Sequence, residues 1–239
     1  MAFSVKNNKI LLKNRIFAKN IMYTSMMTGK KNIIFDLGGV LLDIDAEAAF
    51  RALAALGMSP SLLNEAACLN DDVMQRFETG QATSYEMFAY VASLLSPVAG
   101  MYPADILRNK IEQAWCAMLG NIDIEKMHRL LQLRSAGYKV FLLSNTNETH
   151  WQVVENKILA LEGRPLSEYF DKCYLSYKMG LRKPSPAIFE ALLADAGILA
   201  GESIFFDDSQ ENCDAAASVG IEVVHVERNA PLPAVLMNL

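Results

Sequence analysis

The sequence predicts an α/β fold, a Rossmann-like, doubly wound parallel sheet with an inserted all-helical domain. Short, nearly continuous apolar runs alternate with helical stretches, as expected for strands that are buried on both faces of a parallel sheet. Gly137, Gly197 and Gly220 fall between a helical stretch and the next apolar run, where glycine is favoured as a helix C-cap. One long interval, 46–121, breaks this alternation and contains no convincing strand.

The elements of the sheet can be placed in chain order. Apolar runs predict five strands, at 32–37, 139–144, 172–176, 203–206 and 222–226. Helical stretches are predicted between them, at 124–135, 148–160, 186–195 and 212–219. Because parallel strands all end at the same edge of a sheet, the residues that follow these strands are expected to lie close together.

The interval 46–121 has apolar residues at helical spacing, such as Phe50 and Leu53. At the same spacing, Trp115 and Met118 favour core packing over substrate contact. The predicted division of the chain is a basic N-terminal extension at 1–30, an α/β core at 31–45 and 122–239, and a helical cap at 46–121.

Composition excludes several classes of protein. Hydrophobic residues make up 52% and charged residues 21% of the 239 residues, which indicates a folded globular protein. No apolar run reaches the ~18 residues of a membrane span, so no membrane partner is expected. The four cysteines have no C-x-x-C spacing, which favours reduced thiols in a cytoplasmic protein over a disulfide framework or a zinc site.

Charge is unevenly distributed along the chain. The first 31 residues carry seven basic side chains and no acid, and removing these seven charges from the net charge of −5 leaves −12 for the remainder. Such an acidic body is a poor match for nucleic acid. The basic extension lacks the apolar run of a secretory signal. It is interpreted first as a dispensable tail, with a targeting segment and a functional arm as alternatives.

The first candidate functional residue is Asp36, which follows the apolar run 33–35 and precedes Gly38 and Gly39. Two glycines allow a tight turn and a close approach of the backbone to a ligand. The carboxyl edge of a parallel sheet is where ligands bind. A carboxylate there can act as a nucleophile, as a metal ligand or as both. The alternative is that Asp36 only forms an Asx turn that ends the strand and has no catalytic role.

Three later segments add the other parts of a phosphoryl-transfer site. Ser144 ends the second predicted strand, and Lys183 immediately precedes a proline that can begin a helix. Asp207 and Asp208 follow the fourth strand, with Asn212 one helical turn later. A nucleophile, a hydroxyl donor, a cation and paired carboxylates are what phosphoryl transfer with Mg²⁺ requires, since catalysis there is mainly positioning and charge neutralisation.

In this order and spacing, the four segments resemble the motifs of the haloacid dehalogenase superfamily over about residues 31–228. The resemblance implies that Asp36 attacks phosphorus and carries an aspartyl-phosphate. It also implies that Mg²⁺ is held by Asp36, the Gly38 carbonyl and Asp208, with Asp207 in a supporting role. The expected partner is a small phosphorylated molecule, and the oligomeric state stays open.

The resemblance also implies how the phosphoryl group is bound. Lys183 is expected to offset the charge of both Asp36 and the phosphoryl group. Ser144, together with the backbone N–H of Asn145, is expected to bind the equatorial oxygens.

One position departs from the pattern of the phosphatases in this superfamily. They usually carry a second aspartate two residues after the nucleophile, and that position is Gly38 here. The missing carboxylate normally protonates the leaving group and then activates water. A positioned acid–base group of this kind contributes about 10²- to 10⁴-fold to the rate. Asp45 is a possible substitute, although a helix N-cap role is favoured for it.

Three functions are compatible with this pattern. The favoured one is a phosphatase for esters whose leaving group barely needs an acid, such as anomeric sugar phosphates or acyl phosphates. The segments at 36–38, 43–45 and 143–147 are similar to bacterial glucose-1-phosphate phosphatases. The stretch 77–83 is similar to the cap of a subgroup that includes the amino-terminal phosphatase domain of soluble epoxide hydrolases. The alternatives are a non-catalytic binder of a phosphorylated ligand, motivated by Gly38, and a hydrolytic dehalogenase.

Overall fold

The computed structural model describes residues 27–95, 102–233 and Leu236. Its main sheet has five strands, all parallel, in the spatial order β5-β4-β1-β6-β7. These strands are β1 (Asn32–Phe35), β4 (Lys139–Ser144), β5 (Lys172–Leu175), β6 (Ser203–Asp207) and β7 (Glu222–His225). All five were predicted from the sequence, and the predicted fold class is confirmed.

Helices cover both faces of this sheet. They are α6 (Ile124–Ser135), α7 (Glu148–Glu162), α8 (Leu166–Tyr169), α9 (Ser176–Met179), α10 (Pro186–Ala196) and α11 (Gln210–Ser218). Alternate residues of a strand point to opposite faces. In β1, Ile33 packs in a core cluster with Leu130 of α6, whereas Ile34 packs in a second cluster with Leu192 of α10. Both faces of the central strand are therefore buried, which explains its uninterrupted apolar sequence.

The interval after β1 holds a further five α-helices among the described residues. They are α1 (Ala46–Ala55), α2 (Glu65–Asn70), α3 (Asp72–Glu78), α4 (Ser84–Ser93) and α5 (Ala104–Cys116), with a 3-10 turn at Pro60–Leu62. Their apolar faces form a cluster of their own around Phe77, Phe88 and Trp115. We refer to these helices as the cap. Its boundaries remain a prediction.

The expectation that 46–121 contains no strand is wrong at its carboxyl end. Strand β3 (Leu119–Ile122) pairs antiparallel with β2 (Leu42–Ile44), which was also not predicted. This short ribbon carries the chain into and out of the cap. The strands escaped detection because they are only three and four residues long and gain their stability from pairing across more than 70 residues of sequence, not from a local pattern.

The predicted extension at 1–30 lies mostly outside the described residues, so its dispensability stays a prediction. Of its last residues, Met27 is buried in the core, and Lys30 donates a hydrogen bond to the carbonyl of Gly201. The four cysteines are free thiols. Among the described residues, no helix has the length and apolar character needed to cross a membrane.

Candidate active site

Three strand ends meet at the carboxyl edge of the main sheet. Asp36 follows β1, Ser144 ends β4 and Asp207 ends β6, and β1 lies between the other two strands. Oxygen atoms of Asp36, Asp207 and Asp208 lie within 4.8 Å of one another. Lys183 reaches this group from the loop between α9 and α10. The topology thus brings together side chains that are separated by up to 172 positions in the sequence.

Lys183 is the cation at the centre of the site. Its Nζ lies 2.8 Å from Asp36 Oδ1 and 2.7 Å from Asp207 Oδ2, and its side chain is 1% exposed. Burial by itself lowers the pKa of Lys183, but Asp207 and Asp36 outweigh burial and hold the pKa above its ordinary value. Lys183 is therefore a permanent positive charge between two carboxylates.

The two adjacent carboxylates, Asp207 and Asp208, have different environments. Asp207 is fully buried and accepts hydrogen bonds from Lys183, from the backbone N–H of Ser209 at 2.8 Å and from Asn212 Nδ2 at 3.0 and 3.1 Å. Asp208 lines the cavity, and its Oδ2 accepts a hydrogen bond from Arg228 Nε at 2.6 Å. The Asp207 oxygens are thus occupied by protein donors, while Asp208 presents oxygen toward the cavity.

Asp36 is destabilised as an anion in the absence of further positive charge. Burial raises its pKa to about 7; Asp207 raises it too, whereas Lys183 and the backbone N–H of Leu37 lower it. An ion with positive charge at this site would favour the carboxylate form that a nucleophile requires.

The loop that carries Lys183 is fixed by Asn145. The Asn145 side chain donates from Nδ2 to the carbonyl of Lys183 and accepts at Oδ1 from the backbone N–H of Lys183, both at 2.9 Å. Sequence reasoning considered only the backbone N–H of Asn145 and missed this role of its side chain. Ser144 is buried, and its Oγ has only a long contact of 3.5 Å to the carbonyl of Asn145, which leaves the hydroxyl available for a ligand.

The two glycines after Asp36 serve different purposes. Gly39 has φ +77°, and a Cβ there would lie 2.5 Å from Asp208 Oδ2, so glycine is needed for both reasons. Gly38 does not have a left-handed backbone conformation, and a Cβ there would meet only the Ile44 side chain, at 3.1 Å from Cγ1 and 3.4 Å from Cδ1. The φ of position 38 therefore does not demand glycine.

A cavity of about 270 Å³ opens above these residues. Its floor is the sheet edge and its opposite wall is largely apolar, and this wall includes Phe50, Cys68, Met74, Phe77, Trp115 and Met118. Trp115 belongs to the apolar cluster of the cap, as predicted, but it also lines the cavity. It stacks on the imidazole of His150, with ring centroids 5.2 Å apart.

Two ion pairs connect the cap with the core at this cavity. Glu65 of α2 pairs with Arg228 at 2.8 Å, and Glu78 of α3 pairs with Arg182 at 3.0 Å. Sequence reasoning did not select any of these four residues. Arg228 lies shortly after β7, so the rule that functional residues follow strand ends was the one available signal for it.

Asp45, the predicted substitute for the missing aspartate, caps α1 by accepting a hydrogen bond from the backbone N–H of Ala48 at 3.0 Å. Its side chain is 57% exposed and pairs with Arg51. It is not among the residues that line the cavity, so the N-cap role is the one the structure supports.

Comparisons with known proteins agree with this architecture. The profile of haloacid dehalogenase-like hydrolases matches residues 30–220. A D-ribitol-5-phosphate phosphatase from Bacteroides thetaiotaomicron is 32% identical over 200 residues, covering 84% of this chain and 93% of the relative.

Solved structures give the same relationship. A HAD family enzyme from Bacteroides thetaiotaomicron, in complex with magnesium and inorganic phosphate, is 33% identical with a TM-score of 0.75, over 85% of this chain and 97% of that chain. A HAD-like family hydrolase from Porphyromonas gingivalis is 29% identical with a TM-score of 0.73, over 87% and 97% of the two chains. A dehalogenase at 22% identity and a TM-score of 0.56 shares the fold.

Proposed function

The chain belongs to the haloacid dehalogenase-like hydrolase family, and we propose that it is a Mg²⁺-dependent phosphatase for a small phosphorylated sugar or sugar alcohol. The observation that carries this proposal is the buried cluster in which Lys183 joins Asp36 to Asp207, with Asp208 beside them at the sheet edge. Such a cluster serves a reaction in which an anionic nucleophile must approach an anionic phosphate.

The residues at the site fit a magnesium ion. Mg²⁺ prefers hard oxygen ligands, and three carboxylates lie within 4.8 Å of one another. We assign the ion to Asp36, the Gly38 carbonyl and Asp208, because the oxygens of Asp207 already accept three protein donors. When bound, Mg²⁺ neutralises negative charge as the phosphate and Asp36 approach each other.

The side chains of the core then have separate roles. Asp36 attacks phosphorus and forms an aspartyl-phosphate, which divides one difficult displacement into two easier ones. Lys183 offsets the charge of Asp36 and of the phosphoryl group, and Asn145 holds the Lys183 backbone in place. The Ser144 hydroxyl donates to a phosphoryl oxygen, together with the backbone N–H of Asn145.

The substrate class is inferred from the cavity and from the relative. At about 270 Å³, the cavity lies just below the range of about 300–1,000 Å³ that is typical of drug-sized ligands, which favours a small metabolite. The similar protein from Bacteroides thetaiotaomicron acts on D-ribitol 5-phosphate, a phosphate ester of a sugar alcohol. Anomeric sugar phosphates remain the second substrate class, because their better leaving group suits a site with glycine at position 38.

A phosphate-release screen tests the proposal. Sugar phosphates, sugar-alcohol phosphates, acyl phosphates and nucleotides are compared with and without Mg²⁺, and Asp36→Asn serves as the inactive control. We expect Mg²⁺-dependent release from at least one sugar or sugar-alcohol phosphate. Tight Mg²⁺-dependent binding without turnover of any ester would instead favour the non-catalytic binder suggested by Gly38, and chloride release from a haloacid without metal would indicate a dehalogenase.

A further inference from the structure

The proposed function leaves one proton without a donor. Hydrolysis of an alkyl phosphate, the type of ester present in D-ribitol 5-phosphate, expels an alkoxide that is too basic to leave readily without a proton. Position 38, where the phosphatases that this chain resembles carry the acid, is a glycine. Asp45 caps a helix outside the cavity. If the protein hydrolyses such esters, another group must supply the proton.

The cavity offers few candidates. Among the described residues, four carboxyl side chains line it: Asp36, Asp208, Glu65 and Glu78. Asp36 is the nucleophile, and Asp208 faces the metal. The Glu65 side chain is 50% exposed and pairs with Arg228. His150 also lines the cavity, but burial lowers its pKa to about 4, so that it carries no acidic imidazolium at neutral pH.

Glu78 has the environment that an acid–base group needs. It is the last residue of α3, its side chain is 26% exposed, and it pairs with Arg182, which directly precedes Lys183. Burial raises the pKa of Glu78, although Arg182 and Lys183 act in the opposite direction. A carboxyl with a raised pKa holds its proton closer to neutral pH and releases it more effectively in a reaction.

The cap turn that follows Glu78 is packed against the core. Gly80 has φ +70°, and a Cβ at this position would collide with the carbonyl oxygen of Tyr177 in α9. Because only glycine permits this close approach, the turn packs directly against α9, the helix that precedes the loop of Lys183. Glu78 is therefore a cap residue that contacts the core through Arg182 and lies next to a turn packed against it.

We propose that Glu78 is the acid–base residue of this phosphatase. As Asp36 Oδ bonds to phosphorus, the P–O bond to the alcohol breaks, and the departing oxygen takes the proton from the Glu78 carboxyl. Glu78, now a carboxylate stabilised by Arg182, then takes a proton from water as the water oxygen attacks phosphorus. The Asp36–phosphorus bond breaks, inorganic phosphate leaves, and both carboxyl groups return to their initial states.

The test compares two esters that differ in their need for an acid. One is the best alkyl phosphate from the screen, beginning with D-ribitol 5-phosphate, and the other is 4-nitrophenyl phosphate, whose phenolate leaves without a proton. In Glu78→Gln we expect kcat on the alkyl ester to fall by about 10²- to 10⁴-fold. With 4-nitrophenyl phosphate we expect a rapid burst of about one equivalent of nitrophenolate followed by slow turnover, because only the second step now lacks its base.

Two matched variants separate this chemistry from a structural role of the ion pair. Arg182→Gln breaks the same bridge between cap and core but keeps the Glu78 carboxyl, and Glu65→Gln alters the other bridge. Because both variants keep the Glu78 carboxyl as the base of the second step, neither should show the burst of nitrophenolate that is expected for Glu78→Gln. Two results for Glu78→Gln would overturn the assignment. One is an equal loss of turnover on both esters without a burst of nitrophenolate, and the other is turnover of the alkyl ester within about threefold of wild type. A wild-type protein inactive on all phosphate esters would refute the proposed function itself.

Discussion

The two sides of the cavity are built in different ways. On the core side, Lys183 and Asp207 are almost completely buried, and their polar atoms are joined in one network. On the cap side, the wall is mainly apolar, and Glu65 and Arg228 form an ion pair whose two side chains are about half exposed. The core side thus has one well-defined arrangement of charge, whereas the cap side provides shape and a few adjustable contacts.

This difference separates chemistry from selectivity. A charge that is buried and paired is costly to change, because removal of one partner leaves the other without compensation. An exposed pair contributes only about 0–1 kcal/mol to stability. Substitutions on the cap side can therefore alter which ester is accepted without disturbing the phosphoryl-transfer residues.

The largest effect on activity is expected at Asp36, on the core side of the cavity. Asp36→Asn keeps the volume of the side chain but removes the nucleophile and one proposed metal ligand. We expect phosphate release from the best substrate to fall by at least about 10³-fold. The melting temperature should change little, because burial already disfavours the Asp36 anion and Lys183 keeps Asp207 as its partner. If the purified variant retained more than a few per cent of the wild-type rate, Asp36 would not be the nucleophile.

Loss of a charge should destabilise the folded protein more on the core side than on the cap side. Lys183→Met leaves the fully buried Asp207 and its neighbour Asp36 without their cation, so we expect a loss of about 3–5 kcal/mol in the free energy of unfolding. Glu65→Gln removes an exposed charge of the cap and should cost less than about 1 kcal/mol. Urea denaturation measures both, and similar losses in the two variants would contradict the distinction between core and cap.

A finer comparison lies within the core side, between two adjacent carboxylates. Asp208→Asn should weaken the apparent affinity for Mg²⁺ by at least about tenfold, since it removes a proposed ligand. Asp207→Asn should have less effect on Mg²⁺ affinity and more on folding stability, because Asp207 is the buried partner of Lys183 and Asn212. Titration of activity with Mg²⁺ and thermal unfolding test this order, and its reversal would reassign the metal ligands.

The sequence predicted the core side far better than the cap side. The three central strands, β1, β4 and β6, are nearly continuous apolar runs, because they are buried along almost their whole length, and this pattern is local. The edge strands β5 and β7 are only partly buried, but each still contains a short apolar run. The ribbon of β2 and β3 has no such pattern. It depends on pairing between Leu42 and Ile122, which no short stretch of sequence reveals.

The same limit applies to the residues of the site. Asp36, Ser144 and Asp207 follow or end strands and were found by the rule that ligands bind at the carboxyl edge of a parallel sheet. Lys183, the partner of Asp36 and Asp207, was predicted too. Arg228 and the side-chain role of Asn145 were not predicted, because hydrogen bonds such as that between Arg228 and Asp208 depend on how the loops pack. The predicted set thus contains the residues to which we assign the reaction, while the structure adds side chains that contact them.

His150 lies where the core meets the cap, and its contribution to the pH dependence of the free energy of unfolding should vanish at neutral pH. His150 is buried, stacks on Trp115 and shares a hydrogen bond of 3.3 Å between its Nε2 and the Trp115 carbonyl. Burial lowers the pKa of His150 from 6.5 to about 4, although the Trp115 carbonyl opposes this. Above pH 6.5 the imidazole is neutral in both the folded and the unfolded chain, so it adds no pH dependence there.

Between pH 6.5 and about 4, the unfolded chain binds a proton at His150 that the folded chain does not. The free energy of unfolding should therefore fall as the pH falls, by up to about 3 kcal/mol from this residue. The raised pKa of Asp36 acts in the opposite direction, so only the difference between wild type and His150→Gln is informative. Urea denaturation at pH 7 and pH 4.5 should show a smaller acid-induced loss in the variant. Equal losses in both proteins would mean that His150 is protonated in the folded state, and that the stack with Trp115 accommodates a positive charge.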